Sequence, residues 1–247
     1  MEYSRVKGTR DFLPEEMIKR NKIKAVIENI LKKYGFNPVE TPAMEYWETL
    51  VGKYGDDEKL IYSFQDMGGR KIGLRYDLTV PIVRLFSMNK DIMLPFKPYY
   101  ISRVWRYDQP GKDRYREFWQ ADAEIIGCRG VSADAEIIAV IDDVMKSLNI
   151  KKYEIRISDR KLFNEIIKML GIDESKTSDI LRSIDKLDKI GFSGVEEELI
   201  KKSLNDAVIK KIFAIMREGF NSLKKLENTE GYKEIQTLIK YLKKYGV

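Results

Sequence analysis

The feature that most restricts how this chain can fold is a pair of extended runs on either side of a short polar loop. Tyr99–Tyr107 and Glu117–Ile126 have the composition of β-strands, and between them lies the sequence Asp-Gln-Pro-Gly-Lys-Asp-Arg at 108–114. Two such runs joined by a loop that contains Pro and Gly predict a long antiparallel hairpin. A β-sheet is therefore expected at the centre of the fold.

Polar side chains alternate along this predicted hairpin. Because successive residues of a strand point to opposite faces, Arg106 and Asp108 share one face of the first strand, and Phe118, Gln120 and Glu124 share one face of the second. Burying an unpaired arginine, amide or carboxylate is costly. The face must therefore be either solvated or occupied by a polar ligand, and the alternation alone leaves both interpretations open.

Helices and further strands predict an α+β protein. Helical periodicity appears at 14–34, 81–88 and 131–148, and extended segments are predicted at 36–41, 60–64, 71–75 and 153–157. From Asp159 onward the sequence is rich in Lys and Glu and predicts helices, with breaks near Gly171, at 191–194 and near Gly231. A domain boundary is expected near residue 158.

The composition excludes several kinds of chemistry. The chain has no histidine, which removes every nucleophile that depends on an imidazole base, and Cys128 is its only cysteine, so neither an intrachain disulfide nor a cysteine zinc site is available. No apolar stretch approaches the roughly 20 residues of a membrane span, and a cytoplasmic protein is expected. The net charge of +6 permits a polyanionic partner without requiring one.

Five segments resemble histidyl-tRNA synthetases, a family of class II aminoacyl-tRNA synthetases. Residues 106–127 read Arg-x-Asp, loop, Arg-Tyr-Arg-Glu-Phe-x-Gln-x-x-x-Glu-x-x-Gly and closely resemble the second class II motif. The others are similar to the N-terminal signature, the first class II motif, the amino-acid-binding turn and the helical insertion, at 7–14, 36–42, 74–81 and 184–191. The order and approximate spacing match the family over nearly the whole chain.

The resemblance implies a fold and a division of the chain. The expected architecture is a class II synthetase-like, mixed but mostly antiparallel sheet flanked by helices, together with a C-terminal helical region. Residues 1–158 would form the N-terminal part of the catalytic core, and residues 159–247 the helical insertion or connecting region. The first motif, around Pro42, would form a homodimer interface.

The resemblance also implies a reaction, the activation of histidine by ATP and its transfer to tRNA(His). The nucleophile is an amino-acid carboxylate, which needs no base at neutral pH, so a site without histidine can still work. By resemblance Arg106 is catalytic at the α-phosphate, Arg114 reaches the other phosphates, Phe118 stacks on adenine and Asp108 bonds near its amino group. The class more often has Glu at position 108. Mg²⁺ would accompany ATP, and no metal site of the protein's own is predicted.

For the amino acid, the family pattern implies that Asp77, Thr79 and Gln120 surround the α-ammonium group and that Glu124 binds the imidazole ring. A carboxylate that accepts an imidazole N–H would reject apolar side chains, because a buried polar group without a partner is costly. Asp77 and Thr79 have an alternative interpretation. They can simply cap the helix that begins near Pro81.

Family members continue beyond the matched region with an Arg-Gly-Leu-Asp-Tyr-Tyr-Thr-Gly segment, a glycine-rich third motif and an anticodon-binding domain. None of these occurs before Val247. Histidine-dependent ATP–pyrophosphate exchange by this chain alone is therefore expected to be weak or absent.

Two other functions are weighed. One is the histidine-sensing regulatory subunit of ATP phosphoribosyltransferase, which has the same fold and usually loses ATP-site residues, whereas Arg106, Arg114 and Phe118 are present here. The other is a module whose basic helical part, residues 159–247, binds tRNA while the front half is a scaffold. Few aromatic residues alternate with its lysines, which argues against base stacking and leaves contacts of shape and charge.

Overall fold

The structure, a computed structural model, describes residues 3–51 and 55–247. The chain divides into two units, Met1–Tyr153 and Glu154–Val247. The first combines helices with short sheets, and the described elements of the second are helical. The predicted α+β class is confirmed. The roles predicted for residues 1–158 and 159–247 stay predictions.

The first unit contains four α-helices and six strands within its described residues. In chain order they are α1 (Pro14–Lys33), β1 (Asn37–Pro38), β2 (Met44–Tyr46), α2 (Trp47–Leu50), β3 (Ser63–Gln65), β4 (Lys71–Leu74), α3 (Thr79–Met88), β5 (Pro98–Trp105), β6 (Glu117–Ala123) and α4 (Val131–Ser147). A 3-10 helix spans Gly55–Leu60. The helices predicted at 14–34, 81–88 and 131–148 are confirmed.

The main sheet has the strand order β1-β5-β6, with β1 parallel and β6 antiparallel to β5. The β5–β6 ladder runs from the pair Tyr99–Ala123 to the pair Trp105–Glu117. It continues one step further, because the Arg106 N–H donates to the Arg116 carbonyl at 2.9 Å. The long hairpin predicted from the sequence is therefore confirmed.

The second sheet has the order β2-β4-β3 and is antiparallel. The predicted hairpin is confirmed as β3–β4, and Asp66 stabilises its turn by accepting the N–H groups of Gly68 and Arg70, both at 2.9 Å. Gly69 has φ +78°, a conformation that favours glycine. The three-residue strand β2 was not predicted, because it is too short to show a period.

Apolar side chains cover both faces of the main sheet. On one face, Tyr99 packs with residues of α1 and α4, namely Ile30, Leu31 and Val140. On the other, Tyr100 and Val104 pack against the α3 segment through Leu78 and Ile82. Val104 and Ile82 are fully buried, and burial of a side chain of this size stabilises the fold by about 1.5–3 kcal/mol.

A buried arginine connects the two sheets. Arg75 follows β4, is 4% exposed, and donates to the carbonyls of Thr41 and Arg103 at 2.6 and 2.9 Å and to the Ser102 hydroxyl. Burial lowers the pKa of its guanidinium. These backbone acceptors replace the lost hydration, so Arg75 fixes β4 beside β5.

The second unit is formed by α5 (Arg160–Met169), α6 (Thr177–Ile184), α7 (Leu187–Lys201), α8 (Asp206–Glu218) and α9 (Glu230–Tyr245), with 3-10 turns at Glu174–Lys176 and Gly219–Leu226. Its core contains fully buried side chains from α5 to α8, namely Ile167, Ile180, Val195, Leu199 and Ile209. Helices were predicted throughout this region, and that prediction is confirmed.

Two details of the sequence analysis are wrong. The described residues of Tyr153–Ile157 form no strand. Gly231 is not a break but lies in the first turn of α9, where a Cβ would be 2.3 Å from the Leu162 backbone nitrogen. Glycine at this position lets α9 approach α5 closely. By contrast, Gly171 follows the end of α5 and Gly191, with φ +67°, interrupts α7, as predicted.

Candidate active site

The two faces of the β5–β6 ladder differ in composition. The cross-strand pairs Tyr100–Asp122, Ser102–Gln120 and Val104–Phe118 all lie on the side that packs against α3. This side is called the site face, and it includes Arg106 and Glu124, which continue the two strands in the same alternation. The other side, carrying Tyr99, Ile101, Arg103, Trp119 and Ala123, is called the helix face.

Arg106 and Phe118 lie next to each other on the site face. The Arg106 guanidinium carbon is 5.3 Å from the centroid of the Phe118 ring. Its Nε donates to the Tyr76 carbonyl at 2.9 Å, which fixes the guanidinium against the segment before α3. A cation and an apolar ring are therefore presented together, as a ligand with an anionic group and a flat ring system would require.

Acidic groups gather further along the same face. Glu124 accepts the Tyr100 hydroxyl at 2.7 Å, and Asp77, which is 6% exposed, accepts the Val80 N–H at 3.0 Å. The capping contact considered for Asp77 is therefore present. Thr79 is not a cap but the first residue of α3 and is exposed.

The electrostatics of this region favour a positively charged ligand. Burial, followed by the negative charges of Glu124 and Asp77, raises the pKa of Asp122, while Gln120 and Arg106 act in the opposite direction. Burial and the hydrogen bond to Glu124 raise the pKa of Tyr100, which keeps its hydroxyl protonated as a donor. A bound cation reduces the repulsion between neighbouring carboxylates.

Gln120 has an incomplete set of hydrogen bonds. Its Nε2 donates to both carboxylate oxygens of Asp122, at 3.2 and 3.0 Å. Its Oε1 is buried and has no hydrogen-bond partner among residues 3–51 and 55–247. A buried carbonyl oxygen without a donor is costly, so a ligand that supplied a donor to this atom would relieve that cost.

A cleft of about 470 Å³ runs along β6 and is lined by Thr79, Gln120, Asp122 and Glu124. The rest of its lining is apolar and comes from α1 and α4, which pack on the helix face, with Ile27, Leu31, Ile137, Val140, Ile141, Val144 and Met145. The cleft therefore follows the edge of β6, the outer strand of the main sheet. Small-molecule sites typically have roughly 300–1,000 Å³ and combine an apolar wall with a few polar groups. Three of the four residues predicted for the amino acid, Thr79, Gln120 and Glu124, therefore line one cleft, and Asp77 is not part of its lining.

Asp108 and Arg114 are placed differently. They form an ion pair at 2.9 Å within the loop, where the Arg114 side chain is 64% exposed. The loop is attached to the N-terminal segment, because the Arg116 N–H donates to the Gly8 carbonyl and Arg10 Nη1 donates to the Tyr115 hydroxyl, both at 2.8 Å. The structure thus brings Arg106 and Phe118 together and leaves Arg114 bound to Asp108.

Asp122 and Tyr100 belong to the site, and the sequence analysis missed both. The two-residue period that selected Phe118, Gln120 and Glu124 also includes Asp122, so the signal was available. The same period places Tyr100 on the face of Arg106, but its place opposite Asp122 could not be found in this way, because it depends on the register of the ladder.

The mixed sheet and the arginine–phenylalanine pair on its antiparallel hairpin define a class II aminoacyl-tRNA synthetase core. A family model described as Histidyl-tRNA synthetase matches residues 8–246. The chain therefore belongs to the histidyl-tRNA synthetase family.

Relatives agree with this assignment. The chain is 44% identical over 214 residues to a histidine–tRNA ligase of Aeropyrum pernix and 43% identical over 223 residues to one of Korarchaeum cryptofilum. These alignments cover 85% and 88% of this chain but 49% and 52% of the relatives. The chain thus spans about half the length of these curated relatives.

Solved structures show the same fold. The histidyl-tRNA synthetase of Nostoc sp. PCC 7120 is similar over 100% of this chain and 59% of its own, with TM-score 0.85 and 28% identity. A Bacillus halodurans protein described as an ATP phosphoribosyltransferase regulatory subunit/histidyl-tRNA synthetase has TM-score 0.82 and 25% identity, covering 99% of this chain and 65% of its own. Among the residues that the structure describes, no helix is long and apolar enough to cross a membrane.

Proposed function

We propose that this chain carries the ATP- and histidine-binding part of a histidine–tRNA ligase. The observation that carries the proposal is the site face, on which a guanidinium and an aromatic ring lie 5.3 Å apart, carboxylates line the neighbouring cleft, and a buried amide oxygen of the cleft residue Gln120 lacks a donor. The end of the site face with the guanidinium and the aromatic ring suits a nucleotide. The end with the carboxylates and the amide oxygen suits an amino acid with cationic and N–H groups.

At the nucleotide end, Arg106 binds the α-phosphate and stabilises the charge that develops there when the histidine carboxylate attacks. Phe118 stacks on the adenine ring. Arg114 leaves Asp108 to bind the outer phosphates, which frees the Asp108 carboxylate for the adenine amino group. The exposure of Arg114 supports this exchange, since a surface ion pair contributes only about 0–1 kcal/mol. Mg²⁺ accompanies ATP as part of the substrate.

At the amino-acid end, Asp77, Thr79 and the Gln120 Oε1 accept the α-ammonium group, and Glu124 accepts the imidazole N–H. The Asp77 carboxylate can bind a ligand while it caps α3, because an ionised carboxylate has several acceptor positions. The hydrogen bond from Tyr100 orients Glu124 toward the cleft. In this arrangement, alignment of the two substrates is the main catalytic contribution of the chain.

The complete reaction also transfers histidine to tRNA(His) and takes place in the cytoplasm. The enzyme acts as a homodimer that forms through the region around Pro42. The helical unit Glu154–Val247 would contact the tRNA through charge and shape. Its composition supports this, because residues 154–247 hold 19 Lys and Arg against 16 Asp and Glu.

Calorimetric titration of the purified chain with ATP and with histidine tests the proposal. We expect saturable binding of both, and weaker binding of glutamine, which lacks the imidazole ring that Glu124 would recognise. Binding of histidine without any binding of ATP would instead support a histidine-sensing regulatory subunit. Binding of neither ligand would contradict both functions.

A further inference from the structure

We infer that Asp122 is a positioning residue that sets the orientation of the Gln120 side-chain amide and so presents the Gln120 Oε1 to the amino-acid ligand. The inference deepens the proposed function and rests on it for the identity of the ligand. It adds a residue that the family pattern leaves unspecified, since the three positions between Gln120 and Glu124 are all x in that pattern.

The geometry fixes the direction of the amide. Both Asp122 oxygens lie within hydrogen-bond distance of the Gln120 Nε2, at 3.2 and 3.0 Å. An ionised carboxylate can only accept hydrogen bonds, so the amide must turn its NH₂ group toward Asp122. Its carbonyl oxygen then points away from Asp122 and has no donor within the described part of the protein.

Without Asp122, the Gln120 amide loses the two acceptors that hold it in this orientation. A glutamine side chain can rotate about its last torsion between two nearly isosteric positions. The reversed position would present an NH₂ group where the ligand carries its ammonium group, and two donors cannot bond to each other. The carboxylate thus converts an ambiguous amide into a defined acceptor.

The surroundings explain why Asp122 does not replace Gln120 as the direct ligand contact. Asp122 already lies near the charges of Asp77 and Glu124, with Arg106 as the nearby opposing charge. The Gln120 amide adds an acceptor to this region without adding negative charge. Asp122 therefore acts through Gln120, while the charges of Asp77 and Glu124 attract the ligand's cation.

The test measures histidine and ATP affinity by calorimetry for the wild-type chain and for D122A, D122N, Q120A and the D122A/Q120A double variant. We expect D122A and Q120A each to weaken histidine binding by about tenfold, as for the loss of one hydrogen bond to a charged group. D122N should recover only part of the affinity lost in D122A, because an asparagine amide can pair with the Gln120 amide in either orientation. ATP affinity should change by less than about twofold, since the nucleotide contacts remain.

The double variant separates positioning from direct contact. If Asp122 acts only through Gln120, D122A adds nothing once Gln120 is removed, and the double variant binds histidine as Q120A does. Losses that multiply in the double variant would show independent contacts and overturn the inference. So would wild-type affinity in D122A.

A second measurement does not depend on the ligand. In ¹⁵N-labelled chain, assigned by comparison with Q120A, the Gln120 side-chain NH₂ protons should exchange slowly with water in wild type and rapidly in D122A. Equal exchange in wild type and D122A would overturn the positioning role. If histidine fails to bind the wild-type chain while the exchange pattern is as expected, the proposed function fails and the orientation of Gln120 by Asp122 stands.

Discussion

The two faces of the β5–β6 ladder are built from the same strands and have different tasks. The helix face buries Tyr99 and Ala123 against α1 and α4, and its polar groups, such as Arg103 and Glu117, pair with each other at 3.3 Å. The site face has a buried core at Val104 but continues into Arg106 and the acidic cleft. One face satisfies its polar groups internally, whereas the other retains groups that suit a ligand.

This difference shows how a sheet can carry a site without losing its stability. Packing beneath α3 holds the middle of the site face, and the polar residues extend from its ends. Side-chain alternation then separates functional from structural residues that are close in sequence, as in Phe118 and Trp119, which are adjacent, or Arg103 and Arg106, which are three positions apart. Such neighbours therefore provide matched controls for each other.

The largest effect is expected from Arg106→Ala. Loss of a guanidinium that binds phosphate should weaken ATP affinity by about 10- to 100-fold, measured by calorimetry. Arg103→Ala, on the helix face, removes the same charge and is expected to change ATP affinity by less than about twofold. Equal losses in the two variants would break the distinction between the faces, because only the net charge would then matter.

A smaller loss is expected from Phe118→Leu, which keeps an apolar side chain in the core but removes the ring. Stacking on a nucleobase contributes about 1–3 kcal/mol, so ATP affinity should fall roughly tenfold. Trp119→Leu is the control, since Trp119 is 36% exposed on the helix face beside Lys24. A fluorescent ATP analogue gives the measurement. Weaker nucleotide binding in Trp119→Leu than in Phe118→Leu would place the nucleotide on the other side.

The pH dependence of stability tests whether the site face holds destabilising charge. The pKa of Asp122 is raised in the folded protein, so its contribution to stability is fully present below the unfolded value of 3.8 and is lost as the pH rises through the folded pKa. Asp122→Asn should therefore raise Tm at pH 7, and the difference should vanish below pH ~3.8. Thermal unfolding followed by circular dichroism checks this, with Glu117→Gln on the helix face as control. A lower Tm for Asp122→Asn at pH 7 would show that the Asp122 charge stabilises the fold.

The smallest effect is expected from Arg114→Ala. The exposed ion pair with Asp108 should contribute little, so the free energy of unfolding should change by less than about 0.5 kcal/mol. ATP affinity should fall about threefold at low salt and less at high salt, as expected for a screened charge contact. Denaturant unfolding and binding at two salt concentrations give both quantities. A large loss of stability would show that the loop is held mainly by this pair.

The sequence predicted the ladder well because period-two alternation is a local signal, and Phe118, Gln120 and Glu124 follow it directly. It could not predict that Asp122 turns Gln120, since hydrogen-bond direction depends on packing. Strand β2 and the bonds of Arg75 to Thr41 and Arg103 also escaped prediction. The first is too short for a pattern, and the second joins residues about 30 positions apart through backbone carbonyls.

The central claim is that both substrates bind the site face. The most direct measurement is a titration of the ¹⁵N-labelled chain with ATP and then with histidine, followed by backbone amide chemical shifts. We predict that ATP perturbs the amides around Arg106 and Phe118, and that histidine perturbs those around Thr79 and Glu124, with Ile30 and Phe36 of the core on the helix face unchanged. Saturable shifts confined to the helix face, or no shifts with either substrate, would contradict the claim.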